Sequence, residues 1–284
     1  MKKLIKKQKG GGEMKKVGLK GLALSSLLVV GLVSSGKAAQ ESTFPLKMIF
    51  SVDYSPYYFK WEENVGVDEK GWLHAFETNA EISLPQIAWM PKIMPSFKIY
   101  TGDVKYDGQT WSGNSIKSRT DYSGWNGEIN FGYDFKITKN IKTTTYAGIG
   151  HEYWKRNLEN TLNSLGYTEK WTQNYFKVGV KPQYEVGNYY VYTNLYLKRP
   201  FDVKNRVSMF NVEVKPDEKW NYGIEVGGGV NSLFKKNVGL FIAGFYEKEK
   251  FGKSDPEYSD VIGDYLYQPE SKRTTYGIKA GLKF

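Results

Sequence analysis

Apolar and polar residues alternate along much of this chain. Between 125 and 137, Trp125, Gly127, Ile129, Phe131, Tyr133, Phe135 and Ile137 share one parity, and Asn126, Glu128, Asn130, Gly132, Asp134 and Lys136 share the other. In 74–84, Phe76, Thr78, Ala80, Ile82 and Leu84 oppose Ala75, Glu77, Asn79, Glu81 and Ser83. Successive side chains of a strand point to opposite faces, so each segment has an apolar and a polar face. This periodicity predicts strands near 47–60, 72–84, 97–105, 121–137, 141–156, 170–184, 189–199, 220–233, 238–250 and 274–284. The connections alternate in length. Thr138-Lys139-Asn140, Glu185-Val186-Gly187-Asn188 and Phe234-Lys235-Lys236-Asn237 are tight turns. Between them lie long polar segments at 61–71, 106–120, 157–169, 200–219 and 251–273. The connection over 85–96 carries Pro85, Pro91 and Pro95 where a short turn is expected.

An all-β, antiparallel transmembrane β-barrel accounts for both rhythms: apolar faces meet lipid, polar faces fill the lumen, and short turns and long loops lie at opposite ends. The predicted count is ten strands, which places both termini in the periplasm. Twelve is the alternative, if 207–214 forms a hairpin arm or extra strand. A soluble sandwich would also alternate, but it has no reason to gather tryptophan at one end. Trp61, Trp72, Trp111, Trp125, Trp154, Trp171 and Trp220 all fall near the long-loop ends of strands, where a membrane interface favours them; only Trp89 lies on the other side. Tyr184, Tyr189, Phe97 and Phe284 are candidates for the lower girdle.

The last strand adds a family signal. Tyr276, Ile278, Ala280, Leu282 and Phe284 oppose Gly277, Lys279, Gly281 and Lys283, and the final residue is aromatic. This resembles the C-terminal strand of bacterial outer-membrane barrels, whose aromatic last residue is part of the signal read by the assembly machinery. The stretch Gly148-Ile149-Gly150-His151-Glu152-Tyr153-Trp154, followed by Gly166-Tyr167, is similar to the Gly-x-Gly-Tyr-Arg-Tyr strands of Gram-negative porin-like barrels, with His151 and Glu152 departing from that pattern. The resemblance implies the outer membrane as location, with outer-membrane lipid and lipopolysaccharide as surroundings and the assembly machinery contacting Phe284.

The front of the chain reads as an export signal. Lys15, Lys16 and Lys20 precede an apolar run over 22–33, too short to span a bilayer as a helix, and small residues then place cleavage after Ala38. Met14 can open such a signal by itself. The expected organisation is a signal peptide over 1–38 and one barrel domain over 39–284. Residues 1–38 hold nine Lys and one Glu, so the net charge of +10 falls to about +2 in the remainder, and the basic balance gives no reason to expect nucleic acid as a partner. Zero Cys excludes a disulfide framework and any thiolate ligand or nucleophile. Mean hydropathy is −0.53. No run of about 18 apolar residues suggests a helical span, whereas a barrel, with only alternate residues in lipid, is compatible with low hydropathy.

The polar faces supply the candidate lumen-lining residues: Glu77, Glu81, Glu128, Asp134, Glu152, Lys177, Lys181, Lys198, Glu225 and Lys279, with Asp53, Glu247, Lys98, Lys136 and Lys283 on the same parity. Two arrangements compete. Opposite charges can pair across a narrow lumen and plug it with tyrosines such as Tyr192 and Tyr196. Or an acidic wall can face a basic wall across a water-filled constriction that selects solutes. A ten-stranded interior is only slightly wider than one that side chains fill, which favours the first.

The sequence predicts no enzyme, cofactor or metal. Barrel enzymes such as the omptin proteases use Asp/His pairs, and lipid A deacylases and outer-membrane phospholipases use Ser/His, whereas His74 and His151 carry the parity of Phe76 and Ile149 and so point outward. Asp255, Glu257, Asp260 and Asp264 read as a solvated acidic loop without EF-hand spacing. Gly227-Gly228-Gly229 lies in a strand and relieves crowding rather than cradling phosphate. The functional expectation is a small porin-like barrel that passes small solutes through a narrow lumen or serves as a structural surface protein. The alternative is a surface module binding through loops 106–120, 200–219 and 251–273, and a barrel hydrolase is the least favoured.

Overall fold

The computed structural model describes residues 47–83, 92–109, 114–161, 164–233 and 238–284. Ten antiparallel strands form the wall: β1 (Lys47–Glu63), β2 (Val67–Ser83), β3 (Lys92–Gln109), β4 (Ser115–Lys136), β5 (Ile141–Leu158), β6 (Thr168–Val186), β7 (Tyr189–Val207), β10 (Asn221–Val230), β11 (Gly239–Ser254) and β14 (Ser271–Lys283). Each pairs with its neighbours in chain order, β7 pairs β10, and β14 pairs β1, so the sheet closes on itself. Closure removes the unpaired edges that a sheet cannot leave in lipid. Four short strands lie at the long-loop end: β8 (Val212–Val214), β9 (Pro216–Glu218), β12 (Glu257–Ser259) and β13 (Asp264–Leu266). The segment 207–214 forms a hairpin arm, with β8 on the upper part of β7, and the wall itself has ten strands.

The outward residues define a band. On β4 it runs from Trp125 through Ile129, Phe131 and Tyr133 to Phe135, on β2 from Trp72 to Ile82, and from Tyr276 on β14 to Phe284 just after it. Nine to eleven residues per strand is the length that a tilted barrel strand needs to cross a bilayer. The strands do not stop there. β4 has 22 residues and β1 and β2 have 17 each, so all three continue beyond the band. Segments read as loops from the sequence are therefore partly wall. β1 and β2 stay paired up to Glu63↔Val67, and Gly66 turns the chain with a φ of 90°. β3 and β4 remain paired up to Gln109↔Ser115. At the other end Gly187, with a φ of 58°, and Asn188 make the two-residue β6–β7 turn. Gly at its first central position suits the twist of the flanking strands. The export signal, its cleavage site, Pro85, Trp89, Pro91, Trp111 and the turn at 234–237 lie outside the described residues.

The interior is built from one recurring joint. Tyr100 (β3) lies over Gly124 (β4) and donates to Glu152 (β5) at 2.7 Å. Tyr175 (β6) covers Gly150 (β5) and reaches Glu128 (β4) at 2.6 Å; Tyr196 (β7) covers Gly223 (β10) and reaches Glu247 (β11) at 2.6 Å. A Cβ on Gly150 would lie 2.3 Å from the Tyr175 ring. The glycine is what lets the ring lie flat on the wall, and the hydroxyl ties three strands together. Gly227 meets the same crowding, with Ala243 and Tyr192 against it.

The tryptophans divide. Trp72 and Trp220 are exposed and Trp125 is just so, as an interface requires. Trp61, Trp154 and Trp171 are 0–1% exposed and point into the barrel, which corrects their placement in the belt. Their parity explains it: Trp154 is two residues from Glu152, and Trp171 is six from Lys177. Phe97 sits beside Trp125 with ring centroids 6.0 Å apart, above the lower girdle expected for it, because β3 starts at Lys92.

Candidate functional site

The barrel interior is charged throughout, and most of its charges are paired. At the short-turn end Lys92 bridges Glu81 (3.1 Å) and Asp134 (2.8 Å). Above it Lys279 lies between Glu225 (2.8 Å) and Glu77 (3.5 Å), and Lys177 meets Glu128 at 2.7 Å. Lys198 meets Glu247 at 2.7 Å. Lys177 and Lys198 each join a carboxylate two strands away, along the wall. Lys181 forms no ion pair among the described residues and lies over the Tyr192 ring at 4.5 Å. All of these except Lys92 and Asp134 surround a cavity of about 290 Å³ that reaches down to Lys142, Gln183 and Lys283.

The cavity ends at a layer that crosses the lumen. Arg273 (β14) reaches Glu152 (β5) on the opposite wall at 2.6 Å and also contacts Glu249 of β11. Gln173 donates to both carboxylates, at 2.9 and 3.1 Å. Above this, Trp154 stacks on Trp171 with centroids 5.2 Å apart; Trp61 and Phe251 complete the cluster at 5.2–5.6 Å from Trp171. Arg273 lies over the Trp154 ring at 4.7 Å. A guanidinium on an aromatic face is attracted by the ring quadrupole, more strongly when water is excluded.

A second arginine caps the aromatic cluster. Arg156 (β5) contacts Glu69 of β2 at 2.9 Å, Glu169 of β6 at 3.0 Å and Glu63 of β1 at 3.4 Å. Tyr122 and Thr120 also donate to Glu69, while the indole N–H groups of Trp61 and Trp171 donate to Glu63 and Glu169, each at 2.9 Å. The Arg156 guanidinium lies well above its ordinary value: burial opposes its charge, and the surrounding carboxylates, Glu169 first, outweigh burial. Burial pushes the Glu63 carboxyl up, against the pull of Arg156.

These side chains pack across the lumen. Neither arginine nor Glu63, Glu69, Glu169 and Glu249 figures among the sequence candidates, although Arg156 shares its parity with Glu152 and Trp154. The candidates that the structure gathers around the cavity are Glu77, Glu81, Glu128, Glu152, Lys177, Lys181, Lys198, Glu225 and Lys279. Asp134 lies below, on Lys92. The histidines face outward at the aromatic boundary: Tyr54 Oη lies 2.7 Å from His74 Nδ1, and His151 Nδ1 lies 2.6 Å from Asn174 Oδ1. Asp264 caps the β13 backbone at Tyr265 N (2.7 Å).

No protein-family model matches this chain, and no curated protein matches it. Solved structures do. The outer-membrane protease OmpT from Escherichia coli is similar over 87% of this chain and 99% of its own, at 11% identity and a TM-score of 0.57. The transport unit of the autotransporter AIDA-I from Escherichia coli covers 92% of this chain and 97% of its own, at 8% identity and a TM-score of 0.47. A major outer membrane protein from Thermus thermophilus covers 84% and 100%, at 13% identity and a TM-score of 0.40. The closed wall and its lipid-facing band define a transmembrane β-barrel of the outer-membrane type. At these identities the likeness concerns the fold and not the activity.

Proposed function

We propose that this protein is a sealed, non-enzymatic barrel of the outer membrane, exported by a cleaved signal and serving as a structural surface protein rather than as an open pore. The observation that carries this reading is the pair of arginine layers: Arg273–Glu152 and Arg156–Glu69 cross the lumen with three buried tryptophans between them. An ion crossing that stretch would have to displace charged groups that are already bonded to one another. Desolvating an ion without replacement ligands is strongly unfavourable. Wild-type protein inserted in planar bilayers is expected to be silent, whereas Trp61→Ala/Trp154→Ala/Trp171→Ala is expected to give stepwise conductance. A steady, ion-biased conductance from the wild type would overturn the sealed barrel and favour the narrow pore.

A second reading, contact with a partner through the long loops, is favoured by the β12–β13 hairpin. Its cross-strand pair Tyr258 and Tyr265, with Val261 and Ile262 at the tip, is exposed. A sealed wall beneath such a hairpin is a support for display.

A further inference from the structure

The outward face of the upper wall carries many charges, and several cations are matched. Lys60 sits with Glu62 (2.9 Å), Lys117 with Asp107 (3.4 Å), Lys272 with Glu62 (3.4 Å) and Lys204 with Asp202 (3.0 Å). Two rows set cations directly opposite one another; in the first, Lys60, Lys70, Lys105 and Arg119, three of the four pair with Glu62, Asp68 and Asp103, whereas the second has no carboxylate partner among the described residues. Lys155 on β5 stands directly opposite Lys170 on β6, and Lys170 directly opposite Arg206 on β7. All three are exposed, and they alternate along their strands with interior Trp154 and Arg156, Glu169 and Trp171, and Asn205. None of the three forms an ion pair among the described residues. Ser123 is the β4 neighbour of Lys155. Glu213 is the β8 neighbour of Arg206 without an ion pair between them, and Arg206 donates to Asn211 Oδ1 at 3.3 Å.

Like charges directly opposite one another on adjacent strands destabilise a sheet, since their Cβ atoms are only about 5 Å apart. Three in a row is therefore an arrangement that an anion with several charges would relieve. The height of the row says which anion. Below it on the same strands lie the outward residues His151, Asn174 and Phe176, and His151 packs on Trp125 at 5.1 Å, marking the aromatic boundary of the lipid band. Lys155 is four residues above His151, roughly 10 Å of height for a strand tilted by about 40°. Flexible lysine stems cover the remaining distance to the headgroup layer. We infer that Lys155, Lys170 and Arg206 form a binding site for the phosphorylated headgroup of a glycolipid in the leaflet at the long-loop end. Charge-assisted bonds from two ammonium groups and one guanidinium suit phosphate oxygens. The proposal rests on the membrane-barrel reading but not on whether the lumen is sealed.

The test uses the full barrel purified in detergent micelles, with bis-phosphorylated lipid A as probe and native mass spectrometry as readout. The wild type is expected to retain one lipid A per barrel. Lys155→Gln/Lys170→Gln/Arg206→Gln is expected to bind roughly a hundredfold more weakly, since each of the three cations near an anionic surface contributes about fivefold. Lys155→Arg/Lys170→Arg, which keeps the charge, and Lys248→Gln/Lys250→Gln, on β11 two wall strands from β7, should bind as the wild type does. Heat-modifiable gel mobility verifies that every variant is folded. Equal retention by the Gln variant, equal retention of dephosphorylated lipid A, or displacement by millimolar inorganic phosphate would each overturn the site. Micelle binding does not depend on conductance, so a conducting wild type that still binds lipid A through these residues would refute the sealed lumen and leave this site standing.

Discussion

Arg156→Met is expected to lower the stability of the folded barrel by about 3–5 kcal/mol, the range found when one partner of a buried ion pair is removed. The cause is what remains behind. Arg156 is the cation in contact with Glu63, Glu69 and Glu169, and the side chains of all three are at most 8% exposed. Without it, three carboxylates share one dry layer. Glu63→Gln should be nearly neutral by contrast, because the amide oxygen still accepts the Trp61 indole N–H and burial already pushes the carboxyl up. That direction fixes the pH behaviour. Glu63 supports the folded state fully below its unfolded value, and this support is lost as pH rises through the higher folded value. Gln removes the loss, so the variant should gain on the wild type as pH rises through that window. Guanidinium unfolding in lipid vesicles, followed by tryptophan fluorescence, measures all three proteins. Equal destabilisation by Arg156→Met and Glu63→Gln would mean that the arginine does not hold the layer together.

Phe131→Lys should cost about 2–4 kcal/mol, the penalty for a lysine on the lipid face near the bilayer midplane. Phe131 is 50% exposed in the isolated barrel and sits near the middle of the outward band on β4, between Ile129 and Tyr133. Its exposure is contact with hydrocarbon, and an ammonium there must stretch to the interface. Asn79→Lys places the same charge on the cavity side, where Asn79 lies 3.5 Å from Asp53, and should change stability by about 1 kcal/mol or less. The same unfolding titration separates them. Similar costs at the two positions would mean that the inward and outward faces are wrongly assigned.

The contrast between those positions was legible in the sequence, because period-two alternation is strongest where one face meets lipid and the other meets polar side chains. Ile129, Phe131 and Tyr133 against Glu128, Asn130 and Asp134 needed no further information. Above the band this contrast fades. Lys60, Trp61, Glu62 and Glu63 are successive residues of β1, but charges stand on both faces, so the segment reads as the start of a loop. The tops of β1, β2 and β6 were hidden in this way, and with them Glu63, Glu69 and Glu169. Arg156 lay within a predicted strand, yet its partners lay in segments read as loops. Trp61 and Trp171 followed the same logic: tryptophan at a strand end fits a membrane interface, and only the parity of the extended strand turns it inward. Which charges meet across the lumen depends on the stagger of the closed sheet. Neighbouring strands fix that stagger pair by pair, and no single strand reveals it.

The chain has no cysteine, so single reporters can be placed on a silent background. Ser51→Cys puts a thiol on the cavity wall near the short-turn end, and Val261→Cys puts one on the exposed tip between β12 and β13. With the barrel in sealed vesicles, a membrane-impermeant maleimide is supplied outside or trapped inside. A lumen closed by the arginine and tryptophan layers predicts that the two reporters label from opposite sides, and that Ser51→Cys stays unlabelled from the side that reaches Val261→Cys. Labelling of Ser51→Cys from the Val261→Cys side would show a continuous path through the barrel and contradict the seal.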